Sequence, residues 1–180
     1  MSTELTQSHF ELFALPERYA VDRAALDSRY RELQRGVHPD RFASASDQAR
    51  RISMQQATQI NEAYQTLRDP LKRARYLLAL RGHAIDDQKT TAGDPAFLMQ
   101  QMELREEMGE LRQATDPLAA LDGLLARVRA SIGEPEGELE ATLDGGDYEN
   151  ALELVLKMQF YARLESELQE LEAELEDELY

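Results

Sequence analysis

The chain has 180 residues, of which 42% are hydrophobic and 31% charged, and no apolar run approaches the ~20 residues of a bilayer crossing. It has no cysteine, no paired histidine spacing and no glycine-rich phosphate loop, so we predict no metal, no cofactor and no enzymatic activity. Residues 1–82 contain 13 Lys/Arg and 10 Asp/Glu, a net charge of +3. Residues 83–180 contain 7 Lys/Arg and 25 Asp/Glu, a net charge of −18, so the whole chain carries −15.

This charge asymmetry predicts two domains with different partners, and the acidic half should repel nucleic acid and anionic lipid. The alternative is that the acidic residues simply solvate exposed helix faces. The start of the chain has neither a basic cluster nor a following apolar stretch, so we expect no secretory or organelle signal and a soluble, cytoplasmic protein.

The first two predicted helices belong to a small N-terminal core. A short helix around His9 to Ala14 supplies apolar side chains to that core. A second helix is capped by Asp22 and ends near Arg35. Its apolar stripe has the i, i+4, i+7 spacing of a helix face and consists of Leu26, Tyr30 and Leu33.

A loop with the tripeptide His38-Pro39-Asp40 separates this helix from the next one. The third helix has a matching stripe, formed by Ala57, Ile60, Tyr64 and Leu67. Pro39 disfavours helix in the residue before it. The two stripes therefore predict an antiparallel pair of helices with His38-Pro39-Asp40 at the connecting loop.

Three Asp-Pro pairs mark further helix starts, since each places a capping acid before a proline at the first helical position. These pairs are Asp69-Pro70, Asp94-Pro95 and Asp116-Pro117. The first starts a helix over Leu71 to Leu80 that Gly82 stops. Residues 83–94 are polar and aperiodic, so we interpret them as a linker between a domain of residues 1–82 and one of residues 95–180.

The second domain is predicted to be a helical bundle, which makes the fold all-α. Helices are expected at roughly 95–114, 117–131, 136–143 and 148–177. The pair Gly145-Gly146 fits a turn between helices. The acidic C-terminal stretch is expected to be an amphipathic helix because its leucines recur at spacings of 4, 3 and 4, at Leu164, Leu168, Leu171 and Leu175.

The helix, His-Pro-Asp loop and helix together resemble a J domain, the module that activates DnaK-type chaperones. The run from Asn61 to Pro70 resembles the end of the third J-domain helix. The resemblance implies that His38, Pro39 and Asp40 dock on the chaperone. It also implies that an acidic groove of the chaperone is contacted by four basic residues, Arg29, Arg31, Arg35 and Arg41. The alternative is a solvated loop whose Asp caps the next helix, and ordinary solvation is expected for at least one of the arginines.

The resemblance extends to the HscB co-chaperone family through Leu71 to Leu78 and two runs within Ala96 to Glu107. Members present an iron-sulfur scaffold of the IscU type to a DnaK-like chaperone of the HscA type. The chain lacks the N-terminal cysteine motifs of some eukaryotic members, which points to the bacterial form. Gly36-Val37 stands where many J domains have a bulkier basic or aromatic pair.

The helix that starts at Pro95 has an apolar patch away from its core stripe. At about 100° per residue, a stripe of Phe97, Leu104, Met108 and Leu111 faces the core. Met99, Met102 and Glu106 lie roughly opposite. Either another helix covers this patch or a partner does. The resemblance favours the partner, because it implies scaffold-binding roles for Leu98, Met99, Met102, Glu103, Glu106, Glu110 and Phe160.

The expected function is that of a non-enzymatic, monomeric co-chaperone that couples an IscU-type scaffold to the ATPase cycle of an HscA-type chaperone. Two alternatives are a general J-domain holdase for unfolded chains and a structural helical adaptor. The holdase lacks sequence support, since the chain has no Gly/Phe-rich linker and no cysteine-rich module.

Overall fold

The computed structural model describes residues 7–38, 45–87 and 92–178, and in these ranges the chain is helical without a strand. The chain divides between Arg81 and Gly82 into an N-terminal and a C-terminal unit. The helices are α1 His9–Leu12, α2 Arg23–Gly36, α3 Asp47–Arg68, α4 Pro70–Leu80, α5 Pro95–Glu110, α6 Pro117–Asp144 and α7 Tyr148–Glu178. The predicted all-α fold is confirmed.

Helices α2 and α3 pack through the two stripes that the sequence predicts to face each other. The rings of Tyr30 and Tyr64 stack with their centroids 4.0 Å apart. The Tyr64 hydroxyl donates a hydrogen bond of 2.9 Å to Asp27, and this bond raises the pKa of Tyr64. Tyr30 donates to Asn61 across the pair, at 2.8 Å. Aromatic stacking and side-chain hydrogen bonds thus define the register of this hairpin.

The loop end of the hairpin is anchored by a buried hydrogen bond. The side chain of Val37 is buried, and Ser53 on α3 donates from its hydroxyl to the Val37 carbonyl oxygen at 2.8 Å. The next residue, His38, is exposed. Pro39, Asp40 and Arg41 lie outside the described residues.

Helices α1 and α4 complete the N-terminal core. Phe10 and Phe13 are almost fully buried. The His9 ring stacks on Tyr76 of α4 with centroids 4.3 Å apart, and the His9 amide donates to the Tyr76 hydroxyl at 3.0 Å. Burial lowers the pKa of His9 below its ordinary value of 6.5, although the nearby Glu62 opposes that change.

Four predicted N-caps and two glycine turn positions are confirmed. Asp22, Asp69, Asp94 and Asp116 are all N-caps whose carboxylates accept from backbone amides at 2.9 to 3.1 Å. Gly82 follows the C-cap of α4 with φ +85°, and Gly146 turns the chain between α6 and α7 with φ +77°. Both positions suit glycine because a Cβ would strain this left-handed backbone.

The C-terminal unit is built on the hairpin of α6 and α7, the most extensively packed pair among the described elements. Its fully or nearly fully buried side chains include Leu121, Leu124, Val128, Leu164 and Leu168. The predicted stripe of the acidic C-terminal stretch is therefore core. No helix in the described ranges has both the length and the apolar character that crossing a membrane requires.

The predicted break between two helices of this unit is wrong. The structure has one continuous α6 where the sequence predicts a break between 131 and 136, and Pro135 lies inside it, buried. A proline in a helix removes one backbone hydrogen bond. Packing on α7 along the whole length of α6 offsets that loss. The predicted helix 95–114 ends earlier, at Glu110, followed by a 3-10 turn over Leu111–Gln113.

The segment interpreted as a linker packs, where it is described, on the C-terminal unit. The His83 ring lies 5.1 Å from that of Tyr148. Ala92 is buried in the core cluster, and Ile85 packs against it. The Gly93 amide donates to Glu153 at 3.1 Å. Polar and aperiodic residues can therefore still be structural when a few small apolar side chains are buried among them.

These contacts generate a prediction about fragment boundaries. Fragments 1–82 and 83–180 should both fold, and 83–180 should melt at a higher temperature than 95–180. The shorter fragment loses both the burial of Ala92 and the Asp94 cap that satisfies a backbone amide at the start of α5. Circular dichroism melts of the three fragments would measure this. Equal melting temperatures for 83–180 and 95–180 would show that residues 83–94 act only as a linker.

A second prediction concerns pH. Because the pKa of His9 is lower when folded, the unfolded chain binds the proton more readily, so the N-terminal unit loses stability as pH falls below about 6.5. Urea unfolding of fragment 1–82 at about pH 7.5 and about pH 6 would measure the difference. His9→Phe keeps the stacking ring without the titrating group and should reduce the difference. An unchanged pH dependence in this variant would exclude His9 as its source.

Candidate partner-binding sites

Helix α5 is oriented by an aromatic cluster. Phe97 is 3% exposed and meets Phe160 and Tyr161 of α7 edge-on, with centroids 5.5 and 5.8 Å apart. Leu104 and Met108 pack against the same core, and Leu111 is buried in it. The predicted core stripe of α5 is confirmed.

Polar contacts between α5 and α7 hold this orientation. Lys157 pairs with Asp94 at 3.1 Å and lowers the pKa of that carboxyl. The Tyr161 hydroxyl donates to Gln100 at 3.1 Å. Arg105 binds Glu167 through both terminal guanidinium nitrogens. In the turn after α5, Arg112 reaches two further acids of α7, Glu174 at 2.5 Å and Glu178 at 2.6 Å.

The opposite side of α5 carries large apolar side chains in the open. Leu98, Met99 and Met102 are 43%, 65% and 73% exposed. The described residues of the same unit leave them uncovered, although the chain buries every other described leucine of α5 and α7 more deeply. Methionine is unbranched and flexible, so it adapts to irregular partner surfaces. An exposed cluster of this kind is typical of a protein-binding surface.

An open groove of about 840 Å³ runs between α5 and α7 beside these residues. Its apolar lining includes Leu98 and Met102 from α5 and Phe160 from α7. The structure therefore brings together side chains that are about 60 residues apart in sequence. Met99 lies outside this lining, about 100° around α5 from Leu98.

The three acids predicted to fringe the patch are all exposed, but they do not share one surface. Glu106 lines the groove. Glu103 lies on the outer side of α5 near Met99, because the two are four residues apart. Glu110 lines a different hollow, next to Leu111. The predicted set thus divides among the groove, an outer strip of α5 and a separate hollow beside Leu111.

Sequence reasoning missed two cations of the groove, Arg105 and Arg163. Besides its pair with Glu167, Arg105 lies over the Phe160 ring, 5.8 Å from the centroid. Their spacing contains a signal: each arginine follows a groove residue, Met102 or Phe160, by three positions on its helix. This spacing identifies the two arginines only when the side of each helix that faces the groove is known.

The N-terminal unit presents the predicted chaperone-binding residues on different sides of α2. Arg31 and Arg35 are exposed and one turn apart, at the end of the helix that leads to His38. Arg29 lies about 160° around the helix from Arg31. It is half-buried, pairs with Glu32 at 3.1 Å and lines a hollow with Val37 and Ile60. The three described arginines of the predicted set therefore do not form one continuous surface.

Within the described ranges no group of three or more His, Asp or Glu side chains is arranged to hold a metal ion. The groove offers apolar contacts with charges of both signs at its edges, which suits the surface of another protein.

Comparisons with known proteins match both units. Residues 8–76 match the DnaJ domain model, and residues 93–179 match the model described as the HSCB C-terminal oligomerisation domain. The chain is 51% identical over 164 residues to a co-chaperone protein HscB homolog of Burkholderia mallei, covering 91% of this chain and 93% of that one.

Solved structures agree with these matches. The chain resembles the chaperone HscB from Vibrio cholerae with TM-score 0.82 and 41% identity, covering 94% of this chain and 99% of that one. It resembles human co-chaperone protein HscB with TM-score 0.85 and 32% identity, covering 92% and 82%.

Proposed function

Since the chain belongs to the HscB family of J-domain co-chaperones, we propose that it delivers an IscU-type scaffold to a DnaK-like chaperone of the HscA type. In this role it stimulates the ATPase of that chaperone during iron-sulfur cluster assembly. It acts in the cytoplasm as a monomer, and it catalyses no covalent step itself.

The proposed chaperone-binding residues are His38, Pro39 and Asp40 with the arginines of α2 and the loop, Arg29, Arg31, Arg35 and Arg41. The exposure of Arg31 and Arg35 supports their role more than the position of Arg29 does. Cations at the edge of an interface mainly raise the association rate and set the register. Binding at the loop favours the ATP-hydrolysing state of the chaperone only if that state binds the loop more tightly.

The proposed scaffold-binding residues are Leu98, Met99, Met102, Glu103, Glu106, Glu110 and Phe160. One observation carries this part of the proposal: α5 buries Phe97 on one side and exposes three large apolar side chains on the other. A few apolar anchors of this kind commonly supply most of the binding energy of an interface. The acids around them would pair with basic residues of the scaffold.

Having both surfaces on one chain explains how delivery works. A scaffold bound to the C-terminal unit is held close to the chaperone that binds the N-terminal unit. Its local concentration near the chaperone then depends on the tether rather than on diffusion. The stimulation of ATP hydrolysis should therefore be greater with co-chaperone and scaffold together than with either one alone.

Single-turnover ATP hydrolysis by the HscA-type chaperone tests the proposal directly. We expect weak stimulation by this protein alone and strong stimulation when the scaffold is added. A general holdase would give the same rate with any unfolded chain as with the folded scaffold. A structural adaptor would give no stimulation at all.

His38→Gln is predicted to abolish the stimulation while leaving thermal stability nearly unchanged, because an exposed side chain contributes little to the core. His83→Gln in the C-terminal unit is the matched control and should stimulate normally. The ATPase assay and a thermal melt of each variant would measure this. Wild-type stimulation by His38→Gln would contradict the proposed role of the loop.

Replacing Leu98, Met99 and Met102 together by alanine is predicted to weaken scaffold binding about tenfold or more, with little loss of stability. The control is Leu164→Ala, which removes a fully buried side chain and should cost ~2–5 kcal/mol of folding free energy.

Titration calorimetry with the scaffold and thermal melts would separate the two effects. Stimulation of the chaperone in the absence of scaffold checks that the N-terminal unit is intact. A collapsed melt of the triple variant, or unchanged binding, would remove these residues from the proposed interface.

A further inference from the structure

The basic residues of the C-terminal unit are almost all paired. Seven Lys/Arg follow Gly82 in the sequence, and six of them lie in the described ranges. Five of these six form ion pairs with acids of the same unit, namely Arg105, Arg112, Arg127, Arg129 and Lys157. The sixth is Arg163, and among the described residues it has neither an ion-pair nor a hydrogen-bond partner.

Arg163 lies on a helix rich in acids, yet none of the described acids forms an ion pair with it. Glu167 lies one turn further along α7, at the i+4 spacing that suits an ion pair. Arg105 occupies both oxygens of that carboxylate. Arg163 therefore keeps its charge available, in a unit whose residues 83–180 carry 25 acids against seven bases.

The position of Arg163 points to a partner. It is exposed and lines the groove between α5 and α7, one turn from Phe160. The groove is apolar at Leu98, Met102 and Phe160, and it carries an acid on α5 at Glu106. The lining also holds Arg105 on α5 and Asp87 before that helix. Arg105 is committed to Glu167, so Arg163 is the cation of the groove that has no acid partner among the described residues.

We propose that Arg163 is a specificity-determining residue of this groove, and that it binds the side-chain carboxylate of an Asp or Glu on the folded scaffold. This inference rests on the proposed function, since it names the chemistry that the scaffold must present to the same groove. An arginine can bind a carboxylate through two parallel hydrogen bonds, which fixes orientation as well as charge.

The acid-rich surroundings give this cation a discriminating role. A purely acidic surface would attract any basic protein through long-range charge. An arginine within the groove adds a local requirement for an acid beside the apolar anchor. Basic proteins that lack this acid would leave Arg163 without a partner in a partly desolvated interface, which is unfavourable.

The test measures scaffold affinity by calorimetry for the full-length chain and the variants Arg163→Gln and Arg163→Glu. We expect Arg163→Gln to weaken binding about fivefold to tenfold and Arg163→Glu to weaken it further. Both losses should shrink as salt is raised, because salt screens the interaction. The matched control is Arg127→Gln, which changes the net charge equally but removes an exposed pair with Glu107 outside the groove. Its affinity should stay within about twofold of wild type.

Charge exchange identifies the acid on the scaffold. Each exposed Asp and Glu of the scaffold is changed to Lys in turn and tested against Arg163→Glu. One of these scaffold variants should bind poorly to the wild-type chain and regain affinity with Arg163→Glu. A role in folding alone would not produce this rescue, and thermal melts of the variants check that they are folded.

The outcomes separate this inference from the proposed function. If the wild-type chain does not bind the scaffold, the proposed function fails. If alanine at Leu98 and Met102 abolishes binding while both Arg163 variants bind as tightly as wild type, only the role of Arg163 is overturned. If the Arg163 variants change self-association in sedimentation and leave scaffold affinity unchanged, the carboxylate belongs to a second copy of the chain, and the inference about the scaffold is wrong.

Discussion

The one-sided burial of α5 is the constraint on which the C-terminal surface depends. Phe97 is held edge-on by Phe160 and Tyr161, and burying such a side chain is worth about 1.5–3 kcal/mol. Once it is buried, helical geometry turns Leu98 and Met102 outward. Phe160 has two roles, since it packs against Phe97 and also lines the groove. The proposed binding surface is therefore continuous with the core through Phe160.

Charge has a different role in this unit from apolar burial. The pairs that Arg105 and Arg112 make with α7 are partly exposed, so each contributes little to folding stability. Their value lies in position, because they recur seven residues apart on one side of the helix pair and favour a single register. The acids that these pairs leave over give residues 83–180 their net charge of −18. Among the described Lys and Arg residues of this unit, Arg163 alone has no acid partner, and it lines the groove.

The N-terminal unit supports its loop in a similar way. The bond from Ser53 to the Val37 carbonyl ties α3 to the last residue before His38. The stacked rings of Tyr30 and Tyr64 hold the two helices together further along.

The sequence by itself determined the local structure. Asp-Pro pairs specified the starts of α4, α5 and α6, since capping and the fixed φ of proline are properties of neighbouring residues. Helical spacing likewise separated Phe97 from Leu98 and Met102. Only the tertiary structure decided features that depend on long-range packing. Helix α6 continues through Pro135 because it packs on α7 on both sides of that residue. Residues 83–87 and 92–94 belong to the C-terminal unit because Ala92 is buried in the core of that unit. The division of the acids between groove and outer strip, and the commitment of Glu167 to Arg105 rather than Arg163, also depend on how α5 and α7 meet. No pattern within one helix specifies that contact, because it is a property of two helices about 60 residues apart.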